Sequence, residues 1–342
     1  MSEDAIDPAE LPPWTRPAHA IAWHDPAAWQ AAEDVSGRAL AGTAAAVARL
    51  DERLRHLSPG RNAGYRRRLA LLDTADLLWS EGLRLRPERL ALAEDGRLGR
   101  TEDETHALAR ATWAVRRLTA IGGGGQFAST AAVRAFLGLH GRRPDDEAPV
   151  FETLWRAVPE PSAIDDWRRT LAAATGLHPL SRAAMAFHLW RGFALSPPGE
   201  LLEAAVAAAR IGVPDPGEPG LTGLTVAIGN LHPVATGGDA VARLTGFLSS
   251  VSAATGQALA LLDRVADWEA AARRTTRALQ GKGAPALIDH LAARPITSAG
   301  LVSEALGLSP TQARTLLNRF DEAGLCRELT GHARFRFWQA AL

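Results

Sequence analysis

Residues 309–322 combine side-chain types that can read base pairs with the spacing of a single helix. Arg, Asn and Gln can form paired hydrogen bonds with purine edges, and Thr can contact a thymine methyl group or a phosphate. Six such side chains share one helical face and its flanks: Thr311, Thr315 and Asn318 on the face, with Gln312, Arg314 and Arg319 beside it. The other face is apolar: Ala313, Leu316, Leu317 and Phe320. One side can therefore pack while the other enters a major groove.

A capping box indicates where this helix begins. Ser309 is expected at the N-cap, Pro310 at the first helical position and Gln312 at the third. Gly324 is expected to end the helix, since glycine tolerates the left-handed conformation found there. The segment therefore predicts a recognition helix over 309–322.

The sequence that follows alternates like two short strands. Residues 325–338 read LCRELTGHARFRFW, with a turn at Thr330–His332. Phe335 and Phe337 would close a small core, which leaves Arg334 and Arg336 on the outer face. This pattern predicts a wing whose basic side chains contact phosphates or a minor groove. The candidate DNA contacts of helix and wing are Ser309, Thr311, Gln312, Arg314, Thr315, Asn318, Arg319, Arg327, His332, Arg334 and Arg336.

Two shorter helices are expected before the recognition helix. Pro285 opens the first, which ends at Arg294–Pro295. Thr297 is the expected N-cap of the second, and Gly307 suits its left-handed C-terminal position. The apolar face of this second helix is Leu301, Val302 and Ala305. Residues 284–342 therefore predict a small winged helix-turn-helix domain.

The remainder of the chain predicts a multi-helical body, so the fold class is mainly α. We expect an N-terminal arm over 1–20, a helical body over 21–280 and a linker at Gly281–Gly283. Loops near 122–147 or 214–223 could subdivide the body. The expected helices cover 29–56, 65–85, a segment starting at Pro87, 101–118, 129–138, 148–157, 162–175, 180–193, 198–211 and, as one or two helices, 239–280.

Composition favours a globular cytoplasmic protein. Hydrophobic residues make up 46% and charged residues 22%, without an 18-residue apolar run or the pattern of a signal peptide. The formal net charge is zero, so any DNA contact must be local. Cys326 is the only cysteine, which excludes an intrachain disulfide and a cysteine-based zinc site.

Motifs for catalysis, metals or cofactors are weak or missing, and we expect no cofactor and no metal. The Gly122–Gly125 tract belongs to neither GxGxxG nor GxxxxGK[ST], and the sequence contains no HExxH or GxSxG. His106, His178 and His188 have spacings at which histidines are usually solvated or structural rather than metal ligands. The sequence therefore favours a protein that is not an enzyme.

Two sets of residues carry a family resemblance. Residues 284–338, APALIDHLAARPITSAGLVSEALGLSPTQARTLLNRFDEAGLCRELTGHARFRFW, resemble the C-terminal winged helix of many bacterial Fic-type proteins. AWHDPAAWQAAEDVSGRALAGTAAAVARLDERL, DTADLLWSEGLRLRPERLAL and THALARATWAVRRL resemble a bacterial family of unknown function that pairs a degenerate Fic-like helical body with this domain. The resemblance implies a DNA-binding regulator with no established reaction.

Active Fic proteins transfer a nucleotide with a motif of the form HPFxxGNGR, and HPVATGGDAVAR is the nearest stretch here. His232, Pro233 and Gly237 match the motif. Gly238 replaces its asparagine and Ala240 its arginine, so the groups that would neutralise a triphosphate are missing. A degenerate nucleotide transferase is thus the least favoured function.

The leading hypothesis is a sequence-specific regulator of transcription that binds double-stranded DNA. Helix-turn-helix proteins usually read two half-sites, so we expect a homodimer, with the body dimerising or sensing a partner or effector. The alternative is an adaptor that binds proteins and not DNA, because winged-helix folds also serve that role.

Overall fold

The computed structural model is mainly helical, as predicted. It describes residues 24–94, 102–120, 127–139, 159–213, 223–229, 238–278, 283–331 and 336–342. The expected arm over 1–20, the four-glycine tract and the expected helix over 148–157 lie outside these residues. None of the described helices is long and apolar enough to cross a membrane.

Among the residues that the structure describes, the N-terminal part of the chain contains ten helices. They are α1 (Pro26–Val35), α2 (Gly37–Arg55), α3 (Pro59–Ser80), α4 (Pro87–Glu94), α5 (Glu102–Thr119), α6 (Thr130–Phe136), α7 (Pro161–Ala173), α8 (Pro179–Gly192), α9 (Leu202–Ile211) and α10 (Ala240–Thr275).

The single helix expected over 29–56 is two helices, α1 and α2. Ser36 ends α1 with φ −90° and ψ 9°, and Gly37 begins α2. Serine and glycine are weak helix formers, so the break falls where propensity is lowest. Asp25 caps α1 by accepting a hydrogen bond from the Ala27 N–H at 2.9 Å, which places the start before Trp29.

Two other helix boundaries differ from the expected ones. α3, expected over 65–85, begins at Pro59 and ends at Ser80, because Gly82 turns the chain with φ +87°. α9, expected from 198, begins at Leu202, because the preceding prolines and Gly199, with φ +89°, form a turn. α10 is one continuous helix of 36 residues.

The core of the body lies around α8 and α9, which are buried on nearly all sides. α8 packs against both α9 and α10, and α10 packs along α2. The Trp167 and Trp190 rings meet edge to face, with centroids 5.3 Å apart. Arg110 of α5 is buried between Glu81 and Glu203, with N–O distances of 2.7 and 2.9 Å. This ion cluster joins α5 to the end of α3 and to α9.

The C-terminal part contains three helices and a small sheet: α11 (Gly283–Ala293), β1 (Thr297–Ser298), α12 (Ala299–Leu306), α13 (Pro310–Glu322), β2 (Cys326–Glu328) and β3 (Phe337–Ala340). The strands form an antiparallel sheet in the order β1-β3-β2. Thr297 is paired with Trp338, and Cys326 with Ala340.

The cap of α12 is a correction to the sequence analysis. Thr297 was expected at the N-cap, but the Ser298 side chain accepts the hydrogen bond from the Leu301 N–H. Thr297 lies in β1, a strand that the alternation pattern did not predict, and its hydroxyl is 2.8 Å from the His290 ring. Ala305, expected on the apolar face, is exposed, and Leu306 packs towards the core instead.

The C-terminal part packs against the body through α11. A Cβ at Gly64 of α3 would lie 1.5 Å from the Ala293 carbonyl oxygen, so only glycine permits this approach. Nearby, Arg61 of α3 and Arg273 of α10 each pair with Asp289 of α11 at 2.7 Å. The Trp268 indole N–H of α10 donates to the Leu325 carbonyl oxygen at 2.7 Å. These contacts hold α11 and the start of β2 against α3 and α10.

Candidate nucleic-acid interface

The capping box of α13 is formed as predicted. The Ser309 hydroxyl accepts a hydrogen bond from the Gln312 N–H at 3.2 Å, and Gln312 Oε1 accepts one from the Ser309 N–H at 2.9 Å. Gly307 takes the left-handed conformation with φ +66° in the turn before it. Two proposed base or phosphate contacts, Ser309 and Gln312, are therefore engaged in the cap, which contributes about 1 kcal/mol of helix stability.

The two faces of α13 separate as the spacing predicted. Ala313, Leu317 and Phe320 are buried, and Leu316 is partly buried. The polar candidates Thr311, Arg314, Thr315 and Arg319 are exposed. The Thr315 hydroxyl donates to the Thr311 carbonyl oxygen at 2.9 Å, so its methyl group remains available for an apolar contact. The outer surface of α13 thus presents two arginines and two threonines to solvent.

Asn318 and Arg336 meet at the junction of α13 and the sheet. Arg336 Nη1 donates to Asn318 Oδ1 at 3.3 Å, and the guanidinium lies 5.0 Å from the centroid of the Trp338 ring. Arg336 Nε is also 3.9 Å from Glu328 Oε2. Arg336 is half-buried, so it links the recognition helix to the sheet rather than standing free.

Glu328 organises the turn between β2 and β3. Its carboxylate accepts hydrogen bonds from the Thr330 N–H at 2.8 Å and from the Gly331 N–H at 3.1 Å. Burial acts to raise the pKa of Glu328, but these hydrogen bonds and the charge of Arg336 together hold it below its usual value. An ionised Glu328 therefore fixes the base of the wing at neutral pH.

The remaining wing candidates divide between exposed and undescribed positions. Arg327 is exposed on β2. His332, Arg334 and Phe335 lie outside the residues that the structure describes. Phe337 is buried, as expected, and the following residue, Trp338, is buried as well. Since consecutive strand residues point to opposite faces, both faces of β3 are covered.

The linking role of Arg336 was missed in the sequence analysis, which assigned this side chain to contacts with phosphates or a minor groove. The signal was present, because residues two apart in a strand share a face and Trp338 follows Arg336 at that spacing. A large aromatic side chain on the outer face indicates that this face is at least partly covered. The pairing of Arg336 with Asn318 has no local sequence signature, since 18 residues separate them.

Cysteine and histidine side chains outside this interface have packing or capping roles. Cys326 is buried, its thiol donates to the Leu317 carbonyl oxygen at 3.5 Å, and burial raises its pKa to about 12. His178 caps α8 by accepting from the Leu180 N–H, and burial lowers the pKa of His188 to about 3. Within the described ranges no three His, Cys, Asp or Glu side chains are grouped to hold a metal ion. His232 lies outside the described residues.

Comparison with known proteins assigns the C-terminal part. Residues 284–340 match the family model "HTH DNA binding domain". This helix-turn-helix domain extends from α11 to β3, so the match covers the proposed recognition helix and leaves the helical body outside. The family supports DNA binding as the general role of the module.

A further similarity covers a short segment of the chain. The chain is 40% identical over 78 residues to the uncharacterized protein y4cF of Sinorhizobium fredii, a segment that is 23% of this chain and 17% of that relative. The chain therefore matches less than a fifth of that relative's length.

One solved structure is similar to this chain over most of its length. A Fic family protein from Desulfovibrio desulfuricans G20 covers 89% of this chain and 94% of its own, with 17% identity and a TM-score of 0.47.

Proposed function

We propose that this protein is a sequence-specific DNA-binding regulator of transcription that inserts α13 into the major groove. The observation that carries the proposal is the outer surface of α13, where Arg314, Arg319, Thr311 and Thr315 are exposed on a helix with a complete capping box. The opposite face is buried, so the helix is held rigidly while its polar side remains free. A fixed helix with arginines outward is the arrangement that reads guanine edges.

The candidate contacts have different roles in this proposal. Arg314 and Arg319 contact bases or nearby phosphates, and the threonines make short contacts within the groove. Asn318 is positioned by Arg336, so the two act as one unit. Arg327, with His332 and Arg334 of the wing, contacts the DNA backbone and carries no base specificity.

Weak long-range electrostatics favour a dimer in this proposal. Residues 284–342 contain six arginines against five acidic residues, so one module has little net attraction for a phosphate backbone. Two copies joined through the body would double the contacts. We therefore propose a homodimer that reads two half-sites separated by whole turns of the duplex.

The test is selection of bound duplexes from a random DNA library by the full-length protein at near-physiological salt. We expect an enriched motif with two related half-sites spaced by about 10 base pairs or a multiple of that. Recovery of no motif by folded protein would remove the DNA-reading role and favour the adaptor alternative. A single unrepeated half-site would retain DNA binding and remove the dimer.

A matched pair of variants tests the recognition helix on the selected sequence. Arg314→Ala should weaken specific binding by about 1 to 3 kcal/mol, or roughly 5- to 150-fold. Arg49→Ala, which removes an exposed helical arginine from α2, should leave the affinity unchanged. The same loss in both variants would mean that only net charge matters. No loss in either would remove α13 from the interface.

A further inference from the structure

A cleft of about 130 Å³ lies between the helical body and the helix-turn-helix domain. The body contributes side chains of α3, α4 and α10 to its walls. The other side is formed by Pro295 and Ile296, just before β1, by Gln339 of β3 and by Leu342. Small-molecule sites in proteins commonly lie in clefts between domains.

A buried positive charge forms part of the wall. Arg68 of α3 donates through Nη2 to the carbonyl oxygens of Leu291 and Arg294, at 2.5 and 2.6 Å. These are carbonyls at the end of α11, where a cation is favoured. No carboxylate among the described residues forms an ion pair with Arg68, and its Nε has no hydrogen-bond partner there. Within the described part of the chain the buried guanidinium therefore has no counter-charge.

Burial lowers the pKa of Arg68 to about 10, so the side chain remains charged at neutral pH. Such a group loses its hydration on burial, and neutral carbonyls replace only part of the lost stabilisation. An anion in the cleft would offset that cost.

The other walls are mostly apolar. Leu71 and Leu72 of α3, Ala91 of α4, Leu261 of α10 and Ile296 contribute hydrocarbon surface. Glu88 of α4 is the acidic side chain of the lining and is partly buried. A ligand with one carboxylate and a hydrocarbon body fits this lining, whereas a second carboxylate would meet the negative charge of Glu88.

We infer that this cleft binds a small apolar monocarboxylate, with its carboxylate towards Arg68 and its hydrocarbon body on the leucines. The cleft adjoins β1 and β3, which pair with each other, because Ile296 precedes β1 and Gln339 lies in β3. β3 follows directly on Arg336, the partner of Asn318. Ligand binding therefore alters DNA affinity, a consequence that rests on the function proposed above.

The first experiment measures binding without DNA. Hexanoate, hexylamine and hexanedioate are titrated into the full-length protein at constant ionic strength and followed by saturation-transfer NMR. We expect saturable hexanoate binding with a Kd of about 1 mM or tighter. Hexylamine and hexanedioate should bind at least about tenfold more weakly, because one lacks the anion and the other meets Glu88.

Three variants assign the binding to this cleft. Leu72→Trp fills the space and should abolish hexanoate binding. Glu88→Gln removes the repulsion and should bring hexanedioate within about threefold of hexanoate. Arg68→Met should abolish anion selectivity, provided that circular dichroism shows a folded protein. If Arg68→Met fails to fold, the other two variants still decide the question.

The inference is overturned if hexanoate fails to bind the wild-type protein, if Leu72→Trp binds it as well as wild type, or if hexylamine binds equally. The effect on DNA is measured separately, as the shift in Kd for the selected duplex on adding hexanoate. Binding of hexanoate without any DNA motif would leave the site intact and refute the proposed function. A DNA motif without hexanoate binding would do the reverse.

Discussion

The approach of α3 to the end of α11 makes Gly64 a position where one methyl group should have a large effect. In Gly64→Ala the new Cβ would lie 1.5 Å from the Ala293 carbonyl oxygen, less than half of an ordinary contact distance. The obstacle is backbone, so α11 must move away as a unit. That movement would also break the hydrogen bonds from Arg68 to the carbonyls of Leu291 and Arg294.

The expected cost combines two effects. Overpacking typically costs about 1 to 3 kcal/mol, and losing hydrogen bonds from a charged donor costs about 1.5 to 3 kcal/mol. We expect the free energy of unfolding to fall by roughly 3 kcal/mol or more, or the helix-turn-helix domain to detach before the body unfolds. Gly60→Ala in the same helix is the control, because nothing lies within 4 Å of its Cβ and the residue is exposed.

The assay is urea denaturation followed by circular dichroism, with limited proteolysis to detect a detached domain. Gly60→Ala should be neutral or stabilised by up to about 1 kcal/mol, since alanine is the better helix former. Equal stability of Gly64→Ala and Gly60→Ala would refute the close packing of α11 on α3.

Two further predictions concern the wing junction and pH. Asn318→Ala and Arg336→Ala should each weaken DNA binding. The double variant should lose about 0.5 to 3 kcal/mol less binding free energy than the two single variants lose together. Additive losses in quantitative binding assays would show that the two side chains act independently. Burial raises the pKa of Asp73 to about 7 from 3.8, so the folded state retains a proton that the unfolded state releases. The free energy of unfolding should therefore decrease with rising pH between about 4 and 7, by up to about 1.4 kcal/mol per unit, and Asp73→Asn should remove this slope. An equally steep slope in Asp73→Asn, measured by denaturation at each pH, would contradict the assignment.

Local signals in the sequence were sufficient to predict α13. The Ser309-to-Gln312 box, the proline between them and the apolar spacing all act within four residues, so each could be read from the chain alone. Thr297 was misplaced because it and Ser298 are both good caps. The choice between them depends on pairing with β3, some 40 residues away.

The contacts between body and domain could not be predicted from the sequence, for a different reason. From the sequence, Gly64 within a helix indicates only a position of low helix propensity. Arg68, in a run of three arginines, resembles a solvated surface residue. The roles of Gly64 and Arg68 depend on the end of α11, which packs beside them although it lies more than 220 residues later in the chain. Non-local packing of this kind leaves no periodic pattern along the chain.

The uninterrupted length of α10 has a mechanical consequence. From Ala240 to Trp268 the helix rises about 42 Å, at about 1.5 Å per residue. The first turns of the helix lie in the core of the body, and Trp268, near its C-terminal end, donates to the Leu325 carbonyl at the entrance to β2. A tilt of about 3° at the inner end would displace the outer end by about 2 Å, comparable with helix shifts in known switches. A small rearrangement deep in the body would therefore produce a larger displacement at the base of the wing.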